Sequence, residues 1–148
     1  MIETDLAYAA GLFDGEGCIS INRVKPARNP NLKDGFQLRC SISITDEPIM
    51  DWFQELFGGY VMFRQRARAQ DYWQWVVTSN NAYNFLKTME PYLRLKKQQA
   101  QIGIEFTEFR KENAALNKTQ EYWDKNFEYY EGVRKLNARW GTEYYTGT

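Results

Sequence analysis

The sequence contains no histidine. That removes an imidazole general base, histidine-dependent nuclease chemistry and every histidine-containing zinc site. Its two cysteines, Cys18 and Cys40, are too few to cage zinc by themselves. Hydrolytic chemistry in such a chain falls to carboxylates, lysine and an oxygen-liganded metal ion such as Mg2+. Both cysteines lie in candidate strands. We expect them to be reduced core thiols of an intracellular protein, with no disulfide implied. No apolar run approaches the roughly 18 residues that a membrane span requires, and no signal-peptide pattern opens the chain. Net charge is missing too: 19 basic and 19 acidic residues cancel.

What is present is unevenly spread. A chain of 148 residues with 43% apolar and 16% aromatic residues is one domain with material for a core. Residues 1–17 carry four acids and no base, whereas residues 18–45 carry Arg23, Lys25, Arg28, Lys33 and Arg39 against Asp34 alone. Local field rather than net charge steers a polyanion, so the balance does not exclude a nucleic-acid partner.

Periodicity divides the chain into elements. Residues 4–14 read as a helix capped by Thr4 or Glu3, with Leu6, Ala10 and Phe13 on one face. Ala7 and Gly11, four apart on another stripe, would let a second helix come close. Strands are expected over 18–25 and 36–45, joined by a loop with two prolines and Asp-Gly. The second alternates cleanly, with Leu38, Cys40, Ile42 and Ile44 opposite Gln37, Arg39, Ser41 and Ser43. Asp46, followed by Pro48, caps a helix that runs to Gly58-Gly59. A third strand, 60–68, places Arg64, Arg66 and Arg68 on one side. In a fourth, 72–79, Trp73, Trp75 and Val77 go to the core and Tyr72 and Gln74 to the open face. Asn80-Asn81 caps a helix over 81–89, and helices over 96–113 and 119–138 follow, with a loosely held tail over 139–148.

The most unusual stretch is Ala9-Ala10-Gly11-Leu12-Phe13-Asp14-Gly15-Glu16-Gly17. An apolar helix ends on two acids among glycines and turns at once into a strand. Acids at the negative end of a helix dipole are disfavoured unless something offsets them, and a divalent cation would. Position by position the stretch resembles the signature of the LAGLIDADG homing endonucleases, with Ala9, Phe13, Gly15 and Glu16 as departures. A second stretch, Pro91-Tyr92-Leu93-Arg94-Leu95-Lys96, is similar to that family's Pro-x-Leu-x-Leu-Lys segment before a helix. The order of elements resembles the family's αββαββα core over about residues 5–113, with helical residues about 114–138 added.

The resemblance implies an α+β fold: a four-stranded antiparallel saddle sheet backed by helices, extended by further C-terminal helices. It implies a Mg2+-dependent, site-specific double-strand DNA endonuclease acting as a homodimer on a long pseudo-palindromic target. Mn2+ is expected to substitute, and Ca2+ to support binding only. Glu16 would hold the metal, with the Gly15 carbonyl nearby; Lys96 would stabilise charge near the reacting phosphate. Asp46 falls where some members orient water, and helix capping competes with that role. Met50 stands where close relatives place a second basic residue. Asp14 is expected to do structural work at the helix end. Ala7, Ala10, Gly11 and Asp14 would face the second protomer. Ser20, Asn22, Gln37, Arg39, Ser41, Arg64, Arg66, Arg68, Tyr72 and Gln74 would face the major groove, and Arg23, Lys25, Arg28 and Lys33 would hold phosphates. The alternative is a non-cleaving DNA-binding regulator or a splicing factor acting on its own intron RNA, on the same fold.

Overall fold

The structure, a computed structural model, describes residues 2–26 and 31–145, with side chains as far as Ala138. Arg28 therefore lies outside the described residues. The elements run α1 (Glu3–Glu16), β1 (Gly17–Val24), β2 (Gly35–Ile44), α2 (Glu47–Phe57), β3 (Tyr60–Arg64), β4 (Tyr72–Thr78), α3 (Ser79–Met89), α4 (Lys97–Glu112) and α5 (Gln120–Tyr145). Short 3-10 turns, Glu90–Tyr92 and Ala114–Leu116, precede α4 and α5. The four strands form one antiparallel sheet in the order β1-β2-β4-β3, so the fold is α+β as expected. No helix among the described residues is long and apolar enough to cross a membrane.

One face of the sheet is dry because the strands alternate. Ile19 and Ile21 of β1, Leu38, Cys40 and Ile42 of β2, and Trp75 and Val77 of β4 all point to the helices and are buried. Their partners across the ladder are in phase: Ile19 opposite Cys40, Ile42 opposite Trp75. Period-two alternation fixes this register, since a one-residue slip would turn every apolar side chain to water. The tryptophans of β4 are on the helix side, as the alternation predicts.

Aromatic rings join the helices to this face. Phe85 of α3 meets Phe13 of α1, Phe57 of α2 and Trp75 of β4 edge-on, each at 4.9 Å between ring centres. Such pairs add about 0.5–1.5 kcal/mol each beyond the area they bury. α2 stops where expected: Gly58 and Gly59 have φ of 74° and 82°, a region that side chains avoid. A Cβ on Gly59 would also lie 2.3 Å from the Val76 carbonyl oxygen.

The structure moves several boundaries. α1 extends to Glu16 and starts after Ile2, without a side-chain cap from Thr4 or Glu3. α3 starts at Ser79 after Thr78, so Asn80-Asn81 lie inside the helix rather than capping it. β3 ends at Arg64, because the Arg66 N–H donates to Asp71 Oδ1 (3.1 Å) and closes residues 65–71 as a loop. Arg66 and Arg68 thus leave the strand. The expected loose tail is instead helical to Tyr145, and residues 146–148 lie outside the described residues.

α5 lies along the edge strand β1. Asn137 Nδ2 donates to the Ile19 carbonyl oxygen (2.8 Å), and Trp123 Nε1 donates to the Asp34 carbonyl oxygen (2.9 Å). A helix over an edge strand removes the unpaired backbone groups that would otherwise invite another strand. Phe85→Ala should lower the free energy of unfolding by about 3–5 kcal/mol in urea titrations, because it empties the point where α3 meets three other elements.

Candidate functional site

α1 passes into β1 with no intervening loop: Glu16 ends the helix and Gly17 opens the strand. Gly17 is a steric requirement. A Cβ there would lie 2.3 Å from Phe13 Cδ2 and 2.6 Å from the Phe13 carbonyl oxygen, so the ring that anchors α1 in the core forbids any larger residue.

The two acids of the junction have different fates. Asp14 is only 8% exposed. Its carboxylate accepts from the backbone N–H of Arg94 (2.8 Å) and of Lys96 (3.1 Å), and Lys96 Nζ donates back to the Asp14 carbonyl oxygen (2.6 Å). The ammonium thus satisfies a carbonyl at the helix C-terminus, where the dipole favours a cation. Asp14 does the structural work expected of it, and that work turns its side chain inward to residues 94–96. Glu16, by contrast, is exposed, and its carboxylate makes no hydrogen bond or ion pair among the described residues.

Asp46 is the N-cap of α2, with Oδ2 accepting from the Ile49 N–H at 3.1 Å. The structure therefore favours the capping role over orienting water. Met50 is fully buried, so no basic group stands one turn further on.

No group of three or more Cys, Asp or Glu is gathered among the described residues. One protomer offers Glu16 and the backbone of the exposed Gly15. Mg2+ is commonly held by one or two carboxylates together with substrate phosphates and waters, not by an all-protein cage. One free, exposed carboxylate per chain fits such an ion only if other groups supply its remaining ligands.

The solvent face of the sheet carries donors in register. Ser20 lies opposite Arg39, Asn22 opposite Gln37, Ser43 opposite Gln74 and Arg64 opposite Tyr72. Arg64 Nε donates to Gln74 Oε1 (3.4 Å), Gln74 Nε2 donates to Ser43 Oγ (3.2 Å), and Arg39 Nη1 lies 3.5 Å from Ser41 Oγ. Arg66, though off the strand, holds its guanidinium 4.1 Å above the Tyr72 ring. Arg68 is exposed in the same loop, and Lys25 is exposed just beyond β1.

Ser43, Met62, Thr78 and Cys18 also lie on this face, and all four follow from the alternation. Cys18 corrects the expectation of a core thiol: it shares the parity of Ser20 and Asn22 and is exposed opposite Ser41. Partial burial of its sulfur raises the thiol pKa, and the nearby Arg39 and Lys96 charges lower it in part. Cys40, on the opposite face, is wholly buried, and burial drives its pKa far up.

Two expected phosphate contacts are placed otherwise. Arg23 has the parity of Ile19 and Ile21, so it points to the helical side. It pairs with Asp34 (3.0 Å) and lies 5.6–5.8 Å from the ring centres of Trp123, Phe127 and Tyr130. Lys33 sits 5.2 Å from the centre of the Trp123 ring.

The outer face of α1 is bare. Ala7 and Gly11 are exposed, and a Cβ on Gly11 or Gly15 would meet nothing within 4 Å. Tyr8 on this side is 58% exposed, its ring edge-on to Trp52 of α2, and Leu95 in the segment before α4 is 71% exposed. A groove between α1 and residues 91–97 is lined by Ala7, Gly11, Tyr92, Leu93, Arg94 and Lys97. Ala10 corrects the expected interface: it is fully buried in its own core. Asp14 also faces inward.

Residues 9–113 match the model of the LAGLIDADG endonuclease family. The DNA endonuclease I-CreI of Chlamydomonas reinhardtii is 33% identical over 109 residues, a stretch covering 70% of this chain and 62% of that protein. This chain thus spans less than two thirds of that relative's length. Among solved structures, the archaeal intron-encoded homing endonuclease I-Vdi141I, complexed with DNA, superposes with a TM-score of 0.73 at 16% identity, covering 90% of this chain and 84% of that one. The homing endonuclease I-CvuI, in complex with its target and Ca, superposes at 0.63 with 22% identity, covering 93% and 95%. At these identities the structural likeness is one of fold.

Asp14→Asn should destabilise the protein by about 1–3 kcal/mol in denaturant titrations, since one of two buried N–H groups loses its acceptor. A thiol reagent should modify Cys18 alone in the native protein, slowly until the pH exceeds the ordinary thiol range. Cys40 should react only after unfolding; mass mapping of the labelled cysteine checks both.

Proposed function

The chain belongs to the LAGLIDADG endonuclease family, and from that premise we propose that it is a site-specific double-strand DNA endonuclease, active as a homodimer with Mg2+. The observation that carries this reading is the division of labour at the α1–β1 junction. Asp14 is consumed in holding Lys96, while Glu16 is left exposed and unpaired beside a donor-rich sheet face. A carboxylate kept free at the end of a helix contributes nothing to folding and fits a role in binding an ion.

One copy of the junction supplies too few ligands, which supports a dimer built on the bare stripe of α1. Two α1 helices crossing at Ala7 and Gly11 would bring both Glu16 carboxylates to the two-fold axis. Glu16 of each chain, with the Gly15 carbonyl, would hold a divalent ion there, which would supply Lewis-acid activation of water and neutralisation of charge at the phosphate. Lys96, fixed by its bond to the Asp14 carbonyl, lends positive charge to the phosphate as it becomes more negative. Its ammonium already has one protein acceptor, so it is positioned before substrate arrives.

The sheet face would lie in the major groove. Arg39 and Arg64 suit guanine O6 and N7, and Gln37, Gln74 and Asn22 suit adenine N6 and N7. Met62, an apolar residue on the same face and opposite Gln74, suits a thymine methyl. Two sheets related by two-fold symmetry would read a pseudo-palindrome. A second reading, a non-cleaving DNA regulator or a factor acting on intron RNA, draws on the buried Met50 and the capping Asp46, which leave Lys96 without a second charged helper.

Selection from a randomised palindromic duplex library in Mg2+ and again in Ca2+ separates the two. We expect cut fragments with one consensus in Mg2+, lost in Glu16→Gln, and retained binding of that consensus by the variant in Ca2+. Enrichment without cutting in either metal would instead favour the regulator. Gly11→Leu should abolish the dimer in sedimentation experiments while leaving the protomer folded, because its Cβ meets nothing within 4 Å in one protomer. A stable dimer of Gly11→Leu would move the interface elsewhere. Arg39→Ala should relax selection at one base pair per half-site, costing about 1–3 kcal/mol of discrimination there.

A further inference from the structure

α5 is tied to β1 at two points with different neighbours. Near its start, the Trp123 indole N–H donates to the Asp34 carbonyl oxygen (2.9 Å), and the same ring stands 5.7 Å from the Arg23 guanidinium and 5.2 Å from Lys33 Nζ. Asp34 in turn accepts from Arg23 Nε at 3.0 Å. This end holds the base of the hairpin between β1 and β2. Fourteen residues on, about 21 Å along the helix axis, Asn137 reaches the other end of β1.

The Asn137 side chain is committed at both of its polar atoms. Nδ2 donates to the Ile19 carbonyl oxygen (2.8 Å), and Oδ1 faces Gln99 Nε2 at 3.5 Å. Gln99 is only 8% exposed and stands in the first turn of α4, three residues after Lys96. Ile19 stands three residues after Glu16. A circuit therefore runs from the end of α1 by hydrogen bond to Lys96, along the first turn of α4 to Gln99, by hydrogen bonds through Asn137 to Ile19, and back along β1. The junction that carries Glu16 lies on it, and Glu16 itself is held only by backbone.

We infer that Asn137, with Gln99 behind it, is a positioning residue for the Glu16 junction, and that Trp123 is a positioning residue for the end of β1 that carries the exposed Lys25. α5 is a splint whose C-terminal half sets the geometry of cleavage and whose N-terminal half sets the grip on DNA. The inference rests on the endonuclease reading above. A displacement of about 1 Å at a reacting group costs on the order of a hundredfold in rate, and an exposed carboxylate with no side-chain partner has only its backbone to prevent one.

Two variants of the full chain test it. Asn137→Leu removes both polar atoms; Asn137→Ala serves if the first does not fold. Trp123→Phe keeps a ring against Arg23 but removes the N–H donor. Each is measured beside the parent by amide hydrogen exchange without DNA, by binding of the selected duplex in Ca2+, and by single-turnover cleavage in Mg2+ with enzyme in excess. Asn137→Leu should speed exchange at residues 17–21, slow cleavage roughly tenfold to a hundredfold and leave binding unchanged. Trp123→Phe should speed exchange at residues 31–36, weaken binding roughly threefold to tenfold and leave the cleavage rate at saturation unchanged.

Parallel losses of binding and cleavage in both variants, or faster exchange across the whole sheet, would reduce α5 to general stability and overturn the inference. So would variants that match the parent in every measurement. A parent that binds without cutting refutes the endonuclease reading alone. The exchange pattern then still decides whether α5 braces β1 locally: local changes sustain the bracing and uniform ones reject it.

Discussion

The clasp between Asp14 and residues 94–96 is the contact on which the rest depends. It joins the first helix to a segment 80 residues later through two backbone N–H donors and one ammonium. A buried carboxylate is costly unless its lone pairs are met, and here the turn before α4 meets them. In the same stroke Lys96 is brought to the end of α1, next to the helix carbonyl that has no intrahelical donor. Folding energy and site assembly are thus one event. Asp14, the acid expected to do structural work, is the one the fold uses, and Glu16, two residues on, is left exposed and unpaired.

That division explains why the helix-to-strand passage is so abrupt. Phe13 must reach Phe85 in the core, Asp14 must turn toward residues 94–96, and Gly17 must already be extended to pair with Ile42. Three successive demands leave Gly15 and Glu16 on the outside. The same geometry exposes the Ala7 and Gly11 stripe, because on the side of α1 opposite Phe13 its own chain offers little beyond the Trp52 ring against Tyr8 and the rim of residues 91–97. Small residues left open at helical spacing leave room for a second helix.

Much of this was legible in the sequence where one physical rule acts alone. The alternation of β2, the tryptophan parity of β4, the glycine stop of α2 and the role of Asp14 follow from period, from φ > 0 and from the cost of burying charge. The misreadings came where two rules compete. Arg66 and Arg68 continue an alternating pattern, but the Asp71 carboxylate offers the backbone a loop bond that ends β3 early. Arg23 counts as a basic residue, yet its parity directs it to a cluster of rings 100 residues away in sequence. Ala10 has the size of an interface residue, but only its position around the helix shows it to be core. Cys18 is apolar enough for a core, but it shares the parity of Ser20 and Asn22 and so stands on the open face. Composition decides none of these; each is decided by where the side chain points or by the partner it meets.

The placement of Arg23 also bears on how such a protein would find its target. Of the basic residues in the first hairpin, Arg23 is held among Asp34 and three aromatic rings, and Lys33 leans on one of them. The cations left for a duplex are those on and beside the open face: Arg39, Arg64, Arg66, Arg68 and Lys25. Acids elsewhere on the chain do not cancel them, because counterion release counts the phosphates actually neutralised. The salt dependence of binding would then be written by the same face that reads the groove, and the first hairpin would add little to it.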